Sequence, residues 1–146
     1  MTTIANFEDV RLLEHIKTSG LLTSFTDAFG NAQGATPSVS GSIDLTKLAT
    51  NSRAVLVRRN GGDAFGQPYQ SFTEYPMLVV VFSKAEDSDL AIANGLANDI
   101  YRWLITNYQS SDECIMSIST RGVSPPFYTE DSRAVFEIPL NVKFNV

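Results

Sequence analysis

The residues able to do acid–base or nucleophilic chemistry are few and widely separated. His15 is the only histidine and Cys114 the only cysteine. A catalytic histidine needs a nucleophile and an orienting acid, and the pattern around His15 suggests neither, so we interpret it as a surface or boundary residue of a helix. Asp112 and Glu113 precede Cys114, and neighbouring acids raise the pKa of a thiol and disfavour its nucleophilic thiolate. We therefore expect Cys114 to be a buried structural residue.

The densest group of acids also has a structural explanation. Glu86, Asp87 and Asp89 stand where a helix is expected to begin, and capping together with the helix dipole accounts for all three. The glycines of NAQG (31–34) and NGGDAFG (60–66) match neither the P-loop nor the dinucleotide spacing. The sequence therefore predicts no catalytic residue, no metal ligand and no cofactor, which indicates a protein that is not an enzyme.

One grouping suggests binding. Arg53, Arg58 and Arg59 precede Tyr69 and Phe72, and together they are typical of a small basic–aromatic patch. The alternative is a solvated strand end. Eleven basic and sixteen acidic residues give a net charge of −5, which argues against general nucleic-acid binding because that requires cationic surface.

Length and composition indicate a globular subunit. The 146 residues suffice for one domain with one core, and 43% hydrophobic with 18% charged residues suits a component of a larger assembly. A single cysteine cannot form an intrachain disulfide, so the sequence fits a reducing compartment. The N-terminus lacks the features of a signal peptide, and no apolar run approaches the roughly 20 residues that cross a bilayer. We expect a soluble protein made in a cytoplasm.

Hydrophobic periodicity predicts two helices and four strands. The first helix, at about 6–19, is capped by Asn6 and stopped by Gly20. The second runs from about 87 to 107, and Gly95 within it is expected to mark close approach to a sheet. From Phe136 to Val146 every second residue is apolar, the pattern of a strand with one buried face. The predicted strands are 53–59, 76–82 (buried on both faces), 113–120 (alternating at Cys114, Met116 and Ile118) and 134–146.

The connections differ in length and character. Residues 30–52 predict a long, weakly structured crossing with a short strand or turn near 43–48, whereas 21–29 fits either a helix or an extended piece. Residues 60–75 are too long for a tight hairpin and predict a projecting arm or flap. Two prolines stiffen the loop at 121–133.

These elements predict an α+β fold: a mainly antiparallel sheet of about four strands, with two helices packed on one face and the projecting arm. The whole chain, 1–146, is predicted to form one domain.

Short patches within this layout resemble a known family. They are the helix opening Asp87-Ser88-Asp89-Leu90, then Ile100-Tyr101, Phe127-Tyr128 with Glu130-Asp131, and the strand at 134–146. The layout of residues 53–146 is similar to the tail terminator (tail completion) proteins of long-tailed bacteriophages, the lambda-like group included. Residues 20–52 depart from the expected pattern.

This resemblance implies a structural role. Such proteins assemble as a hexameric ring on the head-proximal end of the completed tail tube, stop tube polymerisation and supply the surface that joins the head. The implied partners are other copies of the chain, the tail tube protein and the head–tail connector, and no membrane. DNA passes through the lumen without sequence-specific binding. The implied location is the virion tail, after assembly in the host cytoplasm.

Aromatic and charged residues of the arm and of the last loop are the candidate protein interface. They are Arg58, Arg59, Phe65, Tyr69, Phe72, Tyr75, Phe127, Tyr128, Glu130 and Asp131. For each aromatic residue the alternative is packing on its own domain. Other functions remain open: a connector stopper or minor capsid protein, a small-ligand-binding α+β domain with a closed pocket, or an enzyme whose cleft joins His15 to Cys114 or a carboxylate.

Overall fold

A computed structural model gives the fold and describes residues 8–23, 25–26, 32–39, 52–60 and 72–145. None of the helices in this part of the chain is long and apolar enough to cross a membrane. In chain order the elements are α1 (Glu8–Lys17), β1 (Phe25–Thr26), β2 (Ala32–Gln33), β3 (Thr36–Val39), β4 (Ala54–Arg59), β5 (Phe72–Phe82), a 3-10 turn (Asp87–Asp89), α2 (Leu90–Thr106), β6 (Ile115–Thr120), β7 (Phe127–Tyr128) and β8 (Ala134–Asn145).

The main sheet is open, with the strand order β3-β4-β5-β8-β6, and the short β7 also pairs with β8. Its pairs are antiparallel except β3 with β4, which is parallel. β8 lies between β5 and β6 and is paired with β5 from Phe72↔Asn145 to Phe82↔Val135. The predicted α+β class is confirmed, and so are the four predicted strands, which correspond to β4, β5, β6 and β8.

Both helices pack on one face of the sheet. Apolar residues of α1 and α2 share one buried cluster with Met77, Val79 and Val81 of β5. The alternate residues of β5 point to the opposite face, where Leu78, Val80 and Phe82 belong to a second buried cluster. β5 is therefore buried on both faces, as its unbroken apolar run predicts.

The predicted alternation at Cys114, Met116 and Ile118 is wrong. Cys114 is half-buried and lies in the turn before β6, with a positive φ of 56°. The pairing of β6 with β8 shifts between Ile115 and Ser117. Such an irregularity adds a residue and changes the face that later side chains point to, so the buried residues are Ile115 and Ile118.

The first part of the chain differs from the prediction in detail. α1 is described from Glu8, and Gly20 follows it with a φ of +78°, as expected of a helix stop. β2 and β3 lie within the segment 30–52, and the part described there, 32–39, is more regular than expected because β3 adds a parallel edge strand to the sheet. The predicted Asn6 cap and the predicted strand or turn at 43–48 lie outside the described residues.

The expectation for Gly95 is wrong. It is exposed on α2, and a Cβ built at this position has no neighbouring atom within 4 Å. Close packing against the sheet therefore does not explain this glycine.

Replacing Gly95 with alanine is expected to raise the free energy of unfolding by about 0.5–1 kcal/mol, because glycine disfavours helix interiors and nothing obstructs the added methyl group. Urea denaturation of the two proteins measures the change. Gly20→Ala is the control: its φ of +78° disfavours a side chain, so this variant is expected to be less stable. A loss of stability in Gly95→Ala would contradict the prediction.

Candidate interface at the aromatic hairpin

The hairpin formed by β7 and β8 carries two exposed aromatic side chains. Phe127 and Tyr128 are 50% and 59% exposed, and their backbones pair with Val135 and Ala134. The structure therefore presents both aromatic residues predicted in the last loop on ordered backbone.

The turn of this hairpin is held by a dense set of hydrogen bonds. The Thr129 N–H donates to the Arg133 carbonyl at 2.9 Å, and the Ser132 N–H donates to the Thr129 carbonyl at 3.1 Å. Ser132 has a positive φ of 67°, so Glu130 to Ser132 form a three-residue hairpin loop ending in a left-handed residue. The backbone that carries the rings is thereby fixed.

Asp131 belongs to this turn. The Thr129 hydroxyl donates to its carboxylate, and Arg133 Nε donates to Asp131 Oδ2 at 2.9 Å. The Thr129 hydroxyl and then Arg133 lower the pKa of Asp131, although partial burial opposes them. The stabilisation is therefore present above the unfolded-state pKa of Asp131 and is lost as pH falls through its folded-state pKa. Glu130, at the tip, is exposed.

Arg133 anchors the hairpin to the rest of the sheet. Its side chain is fully buried, and Nη1 donates to the carbonyls of Ser52 at 2.8 Å and Ser83 at 2.9 Å. The Ala134 N–H donates to Ser83 Oγ at 2.7 Å. These bonds connect the start of β8 to the residue after β5 and to the segment before β4. Sequence reasoning missed Arg133, which looked like an ordinary loop residue.

A second buried arginine corrects two expectations. Arg53 is 3% exposed and pairs with Asp89, with Nη2–Oδ1 at 2.5 Å and Nε–Oδ2 at 2.9 Å. The Asp89 carboxylate also accepts the Lys84 N–H at 2.8 Å and makes no capping bond at the start of α2. Arg53 is thus no part of a basic–aromatic patch, and Asp89 is an ion-pair partner instead of a cap, because the strand start and the helix start meet here.

The predicted arm is only partly described. Residues 61–71, which include Phe65 and Tyr69, and the side chain of Phe72 lie outside the described residues. Residues 72–75 extend β5, so this end of the predicted arm belongs to the sheet.

Tyr75 packs against its own subunit. Its ring meets Phe144 edge-on at a centroid distance of 5.9 Å, and Arg59 Cζ lies 4.8 Å from the ring centroid. Burial and a hydrogen bond with Glu8 raise the pKa of Tyr75. Arg58 and Arg59 are exposed.

His15, the histidine considered for catalysis, makes contacts that stabilise the fold. His15 is 5% exposed, with Nε2 at 2.6 Å from the Asn107 carbonyl and its ring centroid 4.6 Å from that of Trp103. It therefore joins α1 to the end of α2 inside the protein, and its interpretation as a surface or boundary residue is wrong. Within the described residues no three His, Cys, Asp or Glu side chains are grouped to hold a metal ion.

A cleft of about 370 Å³ lies where β4 and β6 end, beside the interior of β5 and β8. Among the described residues lining it, Arg121 alone is charged, beside neutral side chains such as Asn60 and Asn141. The cleft and the hairpin lie at different places along β8. The cleft includes Asn141, which pairs with Ser119, whereas β7 pairs with residues 134–135.

A model of phage tail termination proteins matches residues 44–146, which is more than half of the chain. The chain belongs to this family. The match covers β4 to β8 together with α2, so it includes the aromatic hairpin and the residues that brace it. A comparison with curated proteins gives no significant match.

Membership in the phage tail termination family confirms the resemblance at the level of a bacteriophage tail protein. The family is structural, so its role is completion of the tail and its place is the virion tail. For the family in general, this role implies contacts with the tail tube and with the head connector. In this context the hairpin is a candidate surface for protein contacts.

Proposed function

We propose that this protein forms a ring on the head-proximal end of the tail tube, ends tube polymerisation and provides the surface that joins the head. The observation that carries the proposal is the hairpin, which holds Phe127 and Tyr128 exposed on a braced turn in a chain of the phage tail termination family. Aromatic side chains dominate the energetics of many protein interfaces. Holding them on rigid backbone reduces the entropy lost on binding.

A ring needs one contact repeated head to tail. The same two different surfaces meet at every junction, and the chain closes when the rotation divides a full turn. A hexamer, as in the lambda-like tail terminators that the sequence resembles, is the ring we propose. One face of it contacts the tube protein and the other contacts the head–tail connector, so the tube cannot continue to grow.

The net charge of the chain supports a ring whose lumen does not bind DNA tightly. A net charge of −5 repels phosphates on average, so DNA is expected to pass through the ring without sequence-specific binding. Arg58 and Arg59 are exposed local exceptions that contact neighbouring proteins in this proposal. The ring forms in the host cytoplasm, where the tail is assembled.

The test replaces both exposed rings, Phe127→Ser with Tyr128→Ser. The variant is expected to fold, because the rings are half exposed, but to associate at least tenfold more weakly, since an aromatic hot spot contributes roughly 2 kcal/mol. Native mass spectrometry measures ring formation, and electron microscopy measures tail length in the phage that encodes the protein. Wild type gives rings and tails of uniform length, whereas the variant gives monomers and overlong tails.

Pro125→Ala, an exposed change in the same loop, is the matched control and should keep both rings and tail length. Overlong tails only in the double variant support the proposal. A wild-type protein that stays monomeric in the presence of tail tubes would contradict it. Normal tails beside leaking heads would indicate a connector stopper instead.

A further inference from the structure

A second exposed apolar surface lies at the end of α2. Ile105 and Tyr108 are 45% and 48% exposed, and with Phe127 and Tyr128 they make up the large hydrophobic side chains exposed in the described part of the chain. Ile105 lies in the last turn of α2, and Tyr108 lies two residues beyond Thr106, the last residue of the helix. Ile105 and Tyr108 are thus both exposed at the end of α2, and together they are here called the helix-end surface.

The helix-end surface and the hairpin lie at opposite ends of α2. Tyr128 borders a small cavity together with Leu90, the first residue of α2, and Glu86. From Leu90 to Ile105 an α-helix rises about 22 Å. The two surfaces therefore cannot cover each other within one chain, and each exposes only two large apolar side chains.

Both surfaces are held rigidly. The hairpin is fixed by Arg133 and its turn bonds, as described above. At the other end, the Asn107 carbonyl lies 2.6 Å from His15 Nε2, and the His15 ring packs on Trp103, so α1 holds the last turn of α2 in place. Rigid surfaces lose less entropy on docking than mobile ones.

Charges beside the two surfaces are complementary. Arg102 is exposed on α2 and lies three residues before Ile105, on the same side of the helix. Glu130 is exposed at the tip of the hairpin. The arginine beside one apolar surface and the glutamate beside the other carry opposite charges, so they attract each other when the two surfaces meet.

We infer that the hairpin of one copy, through Phe127 and Tyr128, docks on the helix-end surface of the next copy, beside Ile105 and Tyr108, with Glu130 facing Arg102. The inference rests on the proposed ring and names the two surfaces that meet at each junction. Because they differ and lie at opposite ends of the subunit, every copy uses both in a head-to-tail contact, which gives a closed ring when the rotation between copies divides a full turn.

Engineered cysteines test this pairing. In a Cys114→Ser background, the variant carrying both Gln109→Cys and Pro126→Cys, exposed positions next to Tyr108 and Phe127, is treated with a short bifunctional maleimide. We expect a ladder of covalent multimers on a denaturing gel. Each single-cysteine variant should give no ladder, and a mixture of the two single variants should give only the heterodimer.

A charge exchange gives an independent readout. Glu130→Arg alone or Arg102→Glu alone should weaken ring association about three- to tenfold, and the double exchange should restore it, since the like charges become opposite again. Native mass spectrometry at varied protein concentration measures the change. Arg121→Glu, an exposed reversal in the cleft, should leave association unchanged.

Rings that form without a ladder and without charge rescue would overturn this pairing but leave the ring proposal standing. A covalent dimer from Pro126→Cys alone would also overturn it, because it indicates a two-fold contact. A wild-type chain that forms no ring, even with tail tubes, would defeat the proposed function itself.

Discussion

Replacing Asp89 with alanine is expected to lower the free energy of unfolding by about 3–5 kcal/mol. The substitution leaves the Arg53 guanidinium charged in the interior, where its side chain is 2% exposed. It also removes the acceptor of the Lys84 N–H. Burying a charge without a partner costs far more than the intact pair contributes, so the loss exceeds that of an ordinary surface substitution.

Urea denaturation measures the Asp89 effect. Asp99→Ala, on the exposed side of α2, is the matched control and should change stability by less than about 0.5 kcal/mol. Replacing both partners, Arg53→Met with Asp89→Leu, should recover most of the loss because no charge then remains buried. A single Asp89→Ala variant as stable as the control would contradict our description of this ion pair.

Replacing Arg133 with methionine is expected to cost about 3–5 kcal/mol and also to prevent ring assembly. Methionine can occupy the space, but the carbonyls of Ser52 and Ser83 lose a charged donor. The Asp131 carboxylate loses its nearest cation at the same time. The turn is then held by fewer bonds, so Phe127 and Tyr128 are no longer presented in one position.

Two measurements separate the effects of Arg133→Met. Thermal unfolding reports the loss of stability, and hydrogen exchange at the Thr129 amide, which donates to the Arg133 carbonyl, reports loosening of the turn. Arg121→Met, at an exposed position before β7, is the control and should affect neither. Unchanged exchange at Thr129 together with intact rings would show that Arg133 does not brace the hairpin.

Local periodicity predicted most of the framework. The strict alternation after Phe136, the apolar run 76–82 and the helical spacing after Asp87 each correspond to an observed element. These patterns depend on neighbouring residues alone, so a single sequence contains them in full. Pairing order is non-local, and the central place of β8 between β5 and β6 followed only from the structure.

The errors concern residues whose partners are distant in sequence. Arg53 pairs with Asp89 and Arg133 with the carbonyl of Ser83, contacts across 36 and 50 positions. His15 is buried because Asn107 and Trp103 lie against it. No local pattern reveals such partners.

The candidate interface was half predicted. Phe127 and Tyr128 stood out as aromatic residues in a proline-containing loop, and the structure confirms that both are exposed. Ile105 and Tyr108 were not predicted, because the helical periodicity of α2 identifies only the buried stripe, in which Leu104 lies. Ile105 falls outside that stripe, and an isoleucine in such a position is the signal that sequence reasoning overlooked.

The order of the strands has a consequence for biosynthesis. β5 is apolar on both faces, yet the partner along one of its sides is β8, which the ribosome makes after β1 to β7. Until then the nascent chain exposes a long strand edge whose backbone N–H and C=O groups are unpaired, and such edges promote aggregation. Productive folding of newly made copies is therefore expected to depend on chaperones or on slow expression at low temperature.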